Sequence, residues 1–365
     1  MRAILLFLCA TAALSASAQS NFKEGSNAFA HYTKTGETKH LTTAKKHIDA
    51  VYKTRRDQSN SRVNMLRAMI YGAMAYADSA RTIKNDKDPI DIAYQALRRI
   101  PSRELMRQPN QVKYVKQNLA YAHIFKAKKA LEKQAYEEAY GHYLQVRDLA
   151  QGNYNVDYNL AVLAGETGKY EESVRYYGRL LNRGDSPSSH YLELAEIHRK
   201  KGDRTAVLKT LQEARRKFPE DRAVLMNLLQ EYAQTDDHRA IAAIVDQAIK
   251  FEPENAELGY LAGYAKENTG NIAAAKKHYR RVLQLDGNNY EANLALGLIY
   301  LNDFLKDADN AEARHEAQNL LLKANEIRPY EVNALKSLEL YYEKAGDPAQ
   351  FDRVRLLLNQ LGRNR

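Results

Sequence analysis

Along the C-terminal two-thirds of this chain, small and apolar residues return at a fixed spacing. Units counted from Ala120, Tyr154, Ser188, Arg222, Ala256, Tyr290 and Val332 give intervals of 34 residues, except the last, which is 42. The seventh position reads Leu160, Leu194, Leu228, Ala262, Leu296 and Leu338, with Lys126 in the first unit. The eighth reads Ala127, Ala161, Ala195, Leu229, Gly263, Gly297 and Glu339. The twentieth gives Ala139, Ser173, Val207, Ile241, Ala275, Ala317 and Phe351, once eight extra residues are allowed for in the sixth unit. Val146, Leu180, Ala214, Ala248, Val282, Ala324 and Leu358 occupy the twenty-seventh.

Small residues at positions 8 and 20 let two antiparallel helices approach closely. Gly168, Gly202, Gly270 and Gly346 suit the left-handed residue that ends a helix. Pro219, Pro253 and Pro329 fall where a second helix must stop. Self-similarity at this period predicts stacked helical hairpins and an all-α fold. The sixth unit's additional residues are expected around Asn302–Ala313, between its two helices.

Leu194-Ala195, His198, Gly202, Val207, Leu211, Ala214 and Pro219 make one whole unit that resembles the tetratricopeptide repeat family, and Leu296-Gly297 with Tyr300 is a second fragment of its pattern. The family's early tryptophan is missing, its place taken by residues such as Tyr191 and Leu225. The resemblance implies a right-handed superhelical solenoid of stacked antiparallel hairpins. The units are 120–153, 154–187, 188–221, 222–255, 256–289, 290–331 and 332–365.

Upstream, from 19 to 119, the helical pattern persists but the register slips. Ala44, Ile48, Val51 and Tyr52 mark one apolar face; Met65, Met69, Ala73, Ala77 and Ala80 mark another; Ile92, Ala93, Ala96, Leu97 and Ile100 follow Pro89. Two divergent hairpins of the same type account for these runs, as expected of terminal units in a solenoid.

Residues 1–18 read as a secretory signal: Arg2, an apolar run from Ala3 to Leu14, then Ala16-Ser17-Ala18 as an A-x-A cleavage site. The alternative is a buried N-terminal helix. Cleavage would leave Gln19 first and remove the single cysteine, Cys9, so that packing alone stabilises the mature chain. Leu8 before that cysteine disfavours lipidation. Gln directly after an alanine cleavage site resembles exported proteins of Bacteroidetes. The expected address is periplasmic, with release to the outside as the alternative, and no later segment has the length and apolarity of a membrane span.

Charge is segregated. From Gln19 to Ala150 there are 24 Lys/Arg against 13 Asp/Glu; from Gln151 onward there are 30 against 32. Lys45, Lys46, Arg55 and Arg56 form the candidate basic docking patch, suited to an anionic envelope polymer, a lipid surface or an acidic protein. Export argues against nucleic acid as a partner. The competing explanation is a solvated face that aids solubility.

The ten histidines form no H-E-x-x-H pair; there is no G-x-S-x-G elbow and no phosphate-cradling glycine loop. Neither a catalytic residue, a metal nor a cofactor is expected. What the family resemblance implies is a concave groove lined by the first helix of each hairpin, through positions 2, 5, 9 and 12. Those positions hold Tyr121, Ile124 and Lys128; Asn155, Tyr158 and Val162; Leu192, Glu196 and Arg199; Met226 and Gln230; Tyr260 and Tyr264; Leu294 and Leu298; and Lys336. Asn159 and Asn227 share position 6, where the resemblance implies amides that hold a ligand backbone. Tyrosines offer contact area and a hydroxyl at low entropic cost, though packing against a neighbouring helix would occupy them equally well. No three consecutive units supply the Lys/Asn set of a carboxylate clamp. These features predict a non-catalytic protein-interaction scaffold. At the C-terminus the last helix either caps itself, with Arg353, Arg355 and Asn359 outward, or stacks on a second copy to form a homodimer.

Overall fold

The computed structural model describes residues 2–79, 81–150 and 154–363, with the side chains of 2–18, 154–155 and 363 outside the description. Ala80, the signal-region side chains and Asn155 therefore lie outside the described residues. The chain divides into two compact units, Met1–His190 with Lys200–Gly202, and Tyr191–Arg199 with Asp203–Arg365. Among the described residues every regular element is an α-helix.

The first unit opens with α1 (Arg2–Thr35) and α2 (Thr38–Val51), packed as a hairpin, then the short α3 (Arg55–Ser59). Next come α4 (Ser61–Ala77) and α5 (Pro89–Arg98), a second hairpin, and the short α6 (Ser102–Met106). α7 (Pro109–Glu132) pairs with α8 (Tyr136–Leu149), and α9 (Tyr154–Glu166) with α10 (Tyr170–Leu181). α4 lies against α2, α5 and α7. That placement explains why its buried positions run almost all the way round, from Val63 to Ala75, instead of forming one stripe. Ala77, expected on that stripe, is exposed. The helix ends there because the Asp78 carboxylate accepts hydrogen bonds from the Thr82 and Ile83 backbone N–H groups, each at 2.8 Å, and turns the chain away. α7 begins at Pro109, eleven residues before the periodic pattern starts at Ala120, and its first turns bury Val115 and Leu119 in the same core as α1, α2, α4 and α5.

The second unit takes Tyr191–Arg199 of α11 (Ser188–Lys200), then α12 (Arg204–Lys217). Three further hairpins follow: α13 (Arg222–Ala233) with α14 (His238–Phe251), α15 (Ala256–Asn268) with α16 (Ile272–Leu285), and α17 (Tyr290–Lys306) with α18 (Ala311–Ile327). α19 (Val332–Ala345) and α20 (Pro348–Arg363) close it. Side-chain oxygens of Asp203, Asp221, Asp237, Asn255, Asn271, Asn289 and Asn310 each accept a hydrogen bond from the backbone N–H three residues on, starting seven of these helices. Each such cap stabilises its helix by about 1 kcal/mol. At the helix ends Gly202, Gly270 and Gly346 have φ of 74°, 81° and 70°, a region that costs other L-residues steric strain.

The additional residues of the sixth repeat fall in the expected stretch around Asn302–Ala313, where they lengthen the two helices more than they widen the gap between them. α17 and α18 are both 17 residues long, against 13 and 14 in α15 and α16, so the insertion adds about one turn to each helix. The reason is local: Phe304 continues the apolar face, is buried, and packs on Tyr341 with ring centroids 5.5 Å apart.

Core volume is balanced across each hairpin between position 8 and position 24. Gly263 faces Tyr279, and Gly297 faces Leu321. A Cβ on Gly263 would stand 2.5 Å from Cε1 of Tyr279, and one on Gly297 would stand 2.9 Å from Cδ2 of Leu321. Elsewhere in this register the pairs are Ala127 with Tyr143, Ala161 with Tyr177, Ala195 with Leu211 and Leu229 with Val245, all buried. The α7–α8 and α9–α10 hairpins thus leave room for an alanine opposite a tyrosine where α15 and α16 do not. At the last hairpin the same two positions carry Glu339 and Arg355. These line a cavity of about 340 Å³ together with Val332, Lys336, Leu358 and Asn359.

Candidate interaction surfaces

In the second unit, position 9 of three consecutive first helices presents Tyr264, Leu298 and Leu340. They are 40%, 40% and 48% exposed. Burying such a column is favourable and its side chains have no core to enter. Gln230 continues it, exposed, on α13. Behind the column the aromatics lock one another. The ring of Tyr260 stacks at 11° on Tyr264, with centroids 6.3 Å apart, and lies 5.6 Å from Tyr279. The Tyr279 hydroxyl donates to Glu267 at 2.8 Å. Burial, reinforced by that carboxylate, holds the Tyr279 phenol far above the usual range. His238 meets Tyr264 edge-on at 5.1 Å. Tyr264 is thus an exposed ring on a fixed base, and Tyr260 is half-buried support. Leu340 holds position 9 of the last unit, one of the positions the family resemblance implies, one turn beyond Lys336.

Several residues expected to line a groove are engaged within the fold. Nε and Nη2 of Arg199 donate to Oε1 of Glu231 at 3.0 and 2.8 Å, and Arg199 also pairs with Glu196. Glu231 is 2% exposed, so this arginine neutralises a buried carboxylate. The Asn227 amide donates to the Ala223 carbonyl one turn back at 2.9 Å. In the first unit, Tyr158 is half-buried and stacks on His190 at 5.0 Å, and Asn159 has a partner within the fold. Lys128 is exposed, and Tyr121 stands half out of the surface. Of the basic patch, Lys45 reaches Asp49 at 3.5 Å, whereas Lys46, Arg55 and Arg56 are exposed. Asp49 is shared with Arg67, whose guanidinium lies over Tyr52 at 4.3 Å and Tyr71 at 4.7 Å.

A polar cluster that spacing alone does not reveal joins α5, α7 and α8. Nδ1 of His123 is 3.2 Å from Nδ1 of His142, and Nε2 of His123 is 3.3 Å from the Tyr94 hydroxyl. Lys126 pairs with Asp88 at 2.8 Å beside them, and Glu138 lies 3.8 Å from Nε2 of His142. Two Nδ1 atoms this close hold a single proton between them, so the two rings are not charged together. Burial first, then the charge of His142 and Lys126, pushes His123 down to about 4; burial also lowers His142, followed by Lys126. Because the folded state binds these protons less readily than the unfolded chain, their contribution is complete above the ordinary histidine range near 6.5. It is lost as pH falls toward 4. The expected loss for His123 is about 3 kcal/mol. Urea unfolding at pH 7 and pH 4.5 should show this difference in the wild type and a much smaller one in His123→Gln; equal pH dependence in both would disprove the assignment.

No three His, Cys, Asp or Glu side chains among the described residues gather as metal ligands. Among those residues, no helix is long and apolar enough to cross a membrane.

The family model of the tetratricopeptide repeat matches residues 256–289, the α15–α16 hairpin that carries Tyr260, Gly263 and Tyr264. No curated protein matches the chain. Among solved structures, the C-terminal part of a TPR repeat-containing protein from Cytophaga hutchinsonii is similar at 15% identity, with a TM-score of 0.46, covering 66% of this chain and 95% of that one. A MamA structure (residue 41 to the end) from Desulfovibrio magneticus RS-1 gives 15% identity and a TM-score of 0.36, over 47% of this chain and 97% of that one. A further MamA structure gives 20% and 0.38, over 46% and 92%. Residues 256–289 thus match a tetratricopeptide repeat, and the neighbouring hairpins repeat its start positions, turns and packing.

Proposed function

We propose that this protein is a non-catalytic scaffold of the cell envelope that holds a partner protein's apolar segment on the first-helix face of its second unit. One observation carries the reading: the exposed column Tyr264, Leu298 and Leu340, repeated at one register on α15, α17 and α19. Arrays of this fold serve as protein-interaction scaffolds, and aromatic residues anchored on rigid elements make effective binding hot spots. Export to the periplasm, with extracellular release as the alternative, is supported by the sequence of residues 1–18. The competing reading, an anionic polymer on Lys45, Lys46, Arg55 and Arg56, has weaker support because Lys45 is engaged with Asp49.

The triple variant Tyr264→Ala/Leu298→Ala/Leu340→Ala truncates three part-exposed side chains, of which Tyr264 also packs on Tyr260 and His238. It should remain folded, with a modestly lower melting midpoint, yet bind the partner recovered from envelope extract more than tenfold more weakly, about 1.4 kcal/mol or more. Unchanged affinity would show that the partner is held elsewhere. Finding the protein in the cytoplasmic fraction of its source cells would refute the envelope assignment.

A further inference from the structure

The first unit carries a second surface of different chemistry. Tyr76 on α4 and Tyr121 on α7 are 49% and 52% exposed, with ring centroids 5.0 Å apart at 34°. Neither hydroxyl has a hydrogen-bond partner among the described residues. Tyr32 of α1 joins them: burial, then the nearby Tyr76 phenol, raises its pKa. The rings thus span three successive first helices.

The charge around them is one-sided. From Gln19 onward α1, together with α4 and α7, holds nine Lys/Arg against two acids, Glu24 and Glu132. The corresponding helices of the second unit, α13, α15, α17 and α19, hold five Lys/Arg against seven Asp/Glu. Some of the first unit's cations are engaged: Arg67 with Asp49, Lys126 with Asp88, Lys129 with Glu132. Arg62, Lys113 and Lys128 are exposed, and no ion pair holds them among the described residues. Helical spacing puts Lys113 and Lys128 about two turns to either side of Tyr121, and Arg62 about four turns from Tyr76 on the same face. Arg62, Met69 and Tyr76 are seven residues apart on α4, and Lys113, Gln117, Tyr121 and Lys128 follow one stripe of α7.

We infer that this face of α4 and α7 docks an acidic protein segment bearing an aromatic or aliphatic side chain. Tyr76 and Tyr121 cover that side chain, Lys113 and Lys128 meet the carboxylates to either side of it, and Arg62 meets one further along α4. The charge imbalance selects an anion. The tyrosines decide which kind. A polymer of repeating anionic groups is matched by cations along its length, whereas here the centre is two half-exposed rings and a neutral glutamine. Those rings gain most from burial against an apolar group. The surface is independent of the Tyr264 column, and its partner segment need not come from the same protein.

The test uses the full mature chain and a fluorescent synthetic peptide in which Asp and Glu flank a central Phe-Leu pair. A second peptide replaces that pair by Gly-Ser, and heparin serves as the polyanion control. Binding of the Phe-Leu peptide should fall about tenfold or more in Tyr76→Ser/Tyr121→Ser. It should fall similarly in Lys113→Glu/Lys128→Glu and with the Gly-Ser peptide, and it should weaken from low to physiological salt. All four side chains are exposed, so unchanged melting separates lost binding from lost folding. Equal affinity for both peptides, or heparin binding that ignores the tyrosines, would mean a charge-only site and overturn the inference. So would absence of binding. The Tyr264→Ala/Leu298→Ala/Leu340→Ala variant should retain the peptide. If that variant alone loses it, the segment docks on the second unit; the inference then fails and the scaffold reading survives.

Discussion

Gly263→Ala is expected to destabilise the protein by about 2 kcal/mol, although alanine is the better helix former. Alanine gains about 1 kcal/mol over glycine inside a helix. Against this, the new Cβ would meet the Tyr279 ring at 2.5 Å, 2.6 Å and 3.0 Å from three of its atoms. That ring is fully buried, packs on Tyr260 and is tied through its hydroxyl to Glu267, so it has no open side to move into. Overpacking of this kind costs about 3 kcal/mol at the upper end of its usual range, and the clash therefore wins. In an array of this size the midpoint should fall by roughly 4–8 °C. The double variant Gly263→Ala/Tyr279→Leu reproduces the Ala195 and Leu211 pairing found at the same register, and should recover most of the loss. Calorimetry on the two variants checks both halves of the argument. A Gly263→Ala protein that melts at or above the wild-type temperature would show that the hairpin can open without cost.

Arg199→Ala should cost about 3 kcal/mol, far more than loss of a surface ion pair. Its guanidinium supplies the two hydrogen bonds that neutralise the buried Glu231 carboxylate. The remaining cation, Arg204, stands 3.9 Å away at Nε and is hydrogen-bonded through Nη2 to the Glu231 backbone carbonyl at 3.1 Å. It cannot replace both bonds without leaving that carbonyl. The penalty is the cost of an uncompensated buried charge, so removing both partners should be milder than removing one. Arg199→Met/Glu231→Leu is accordingly expected to be more stable than Arg199→Ala. Denaturant unfolding of the pair decides it. If Arg199→Ala unfolds like the wild type and instead loses partner binding, the residue belongs to a recognition surface after all.

The architecture was readable in the sequence because each hairpin repeats the same physical requirements at the same offsets. Gly202, Gly270 and Gly346 were expected as left-handed helix ends and have positive φ. Small residues at position 8 were expected at close helix contacts, and Gly263 and Gly297 leave no room for a Cβ. The insertion's place near Asn302–Ala313 was readable but its helical conformation was not, because a length difference marks extra residues without saying whether they continue a helix. The buried face of Phe304 decides that, and it depends on Tyr341, well over thirty residues away. The same limit applies to the surface. Periodicity puts Arg199, Asn227 and Tyr158 on the first helices, but not what they touch. Arg199 finds Glu231 on the next hairpin, Asn227 finds its own backbone, and Tyr158 finds His190. Tyr76 and Tyr121 meet across α4 and α7, where the register has slipped and no repeat offset relates the two residues.

The scaffold reading rests on which face of the second unit meets its partner, and site-specific photo-crosslinking in source cells tests that face directly. A benzophenone side chain at Leu298, on the exposed column, is compared with one at Lys277, exposed on the second helix α16. The account predicts a discrete protein adduct from Leu298 that disappears when Tyr264 and Leu340 are changed to alanine, and no adduct from Lys277. Equal crosslinking from Lys277, or none from Leu298, would contradict it.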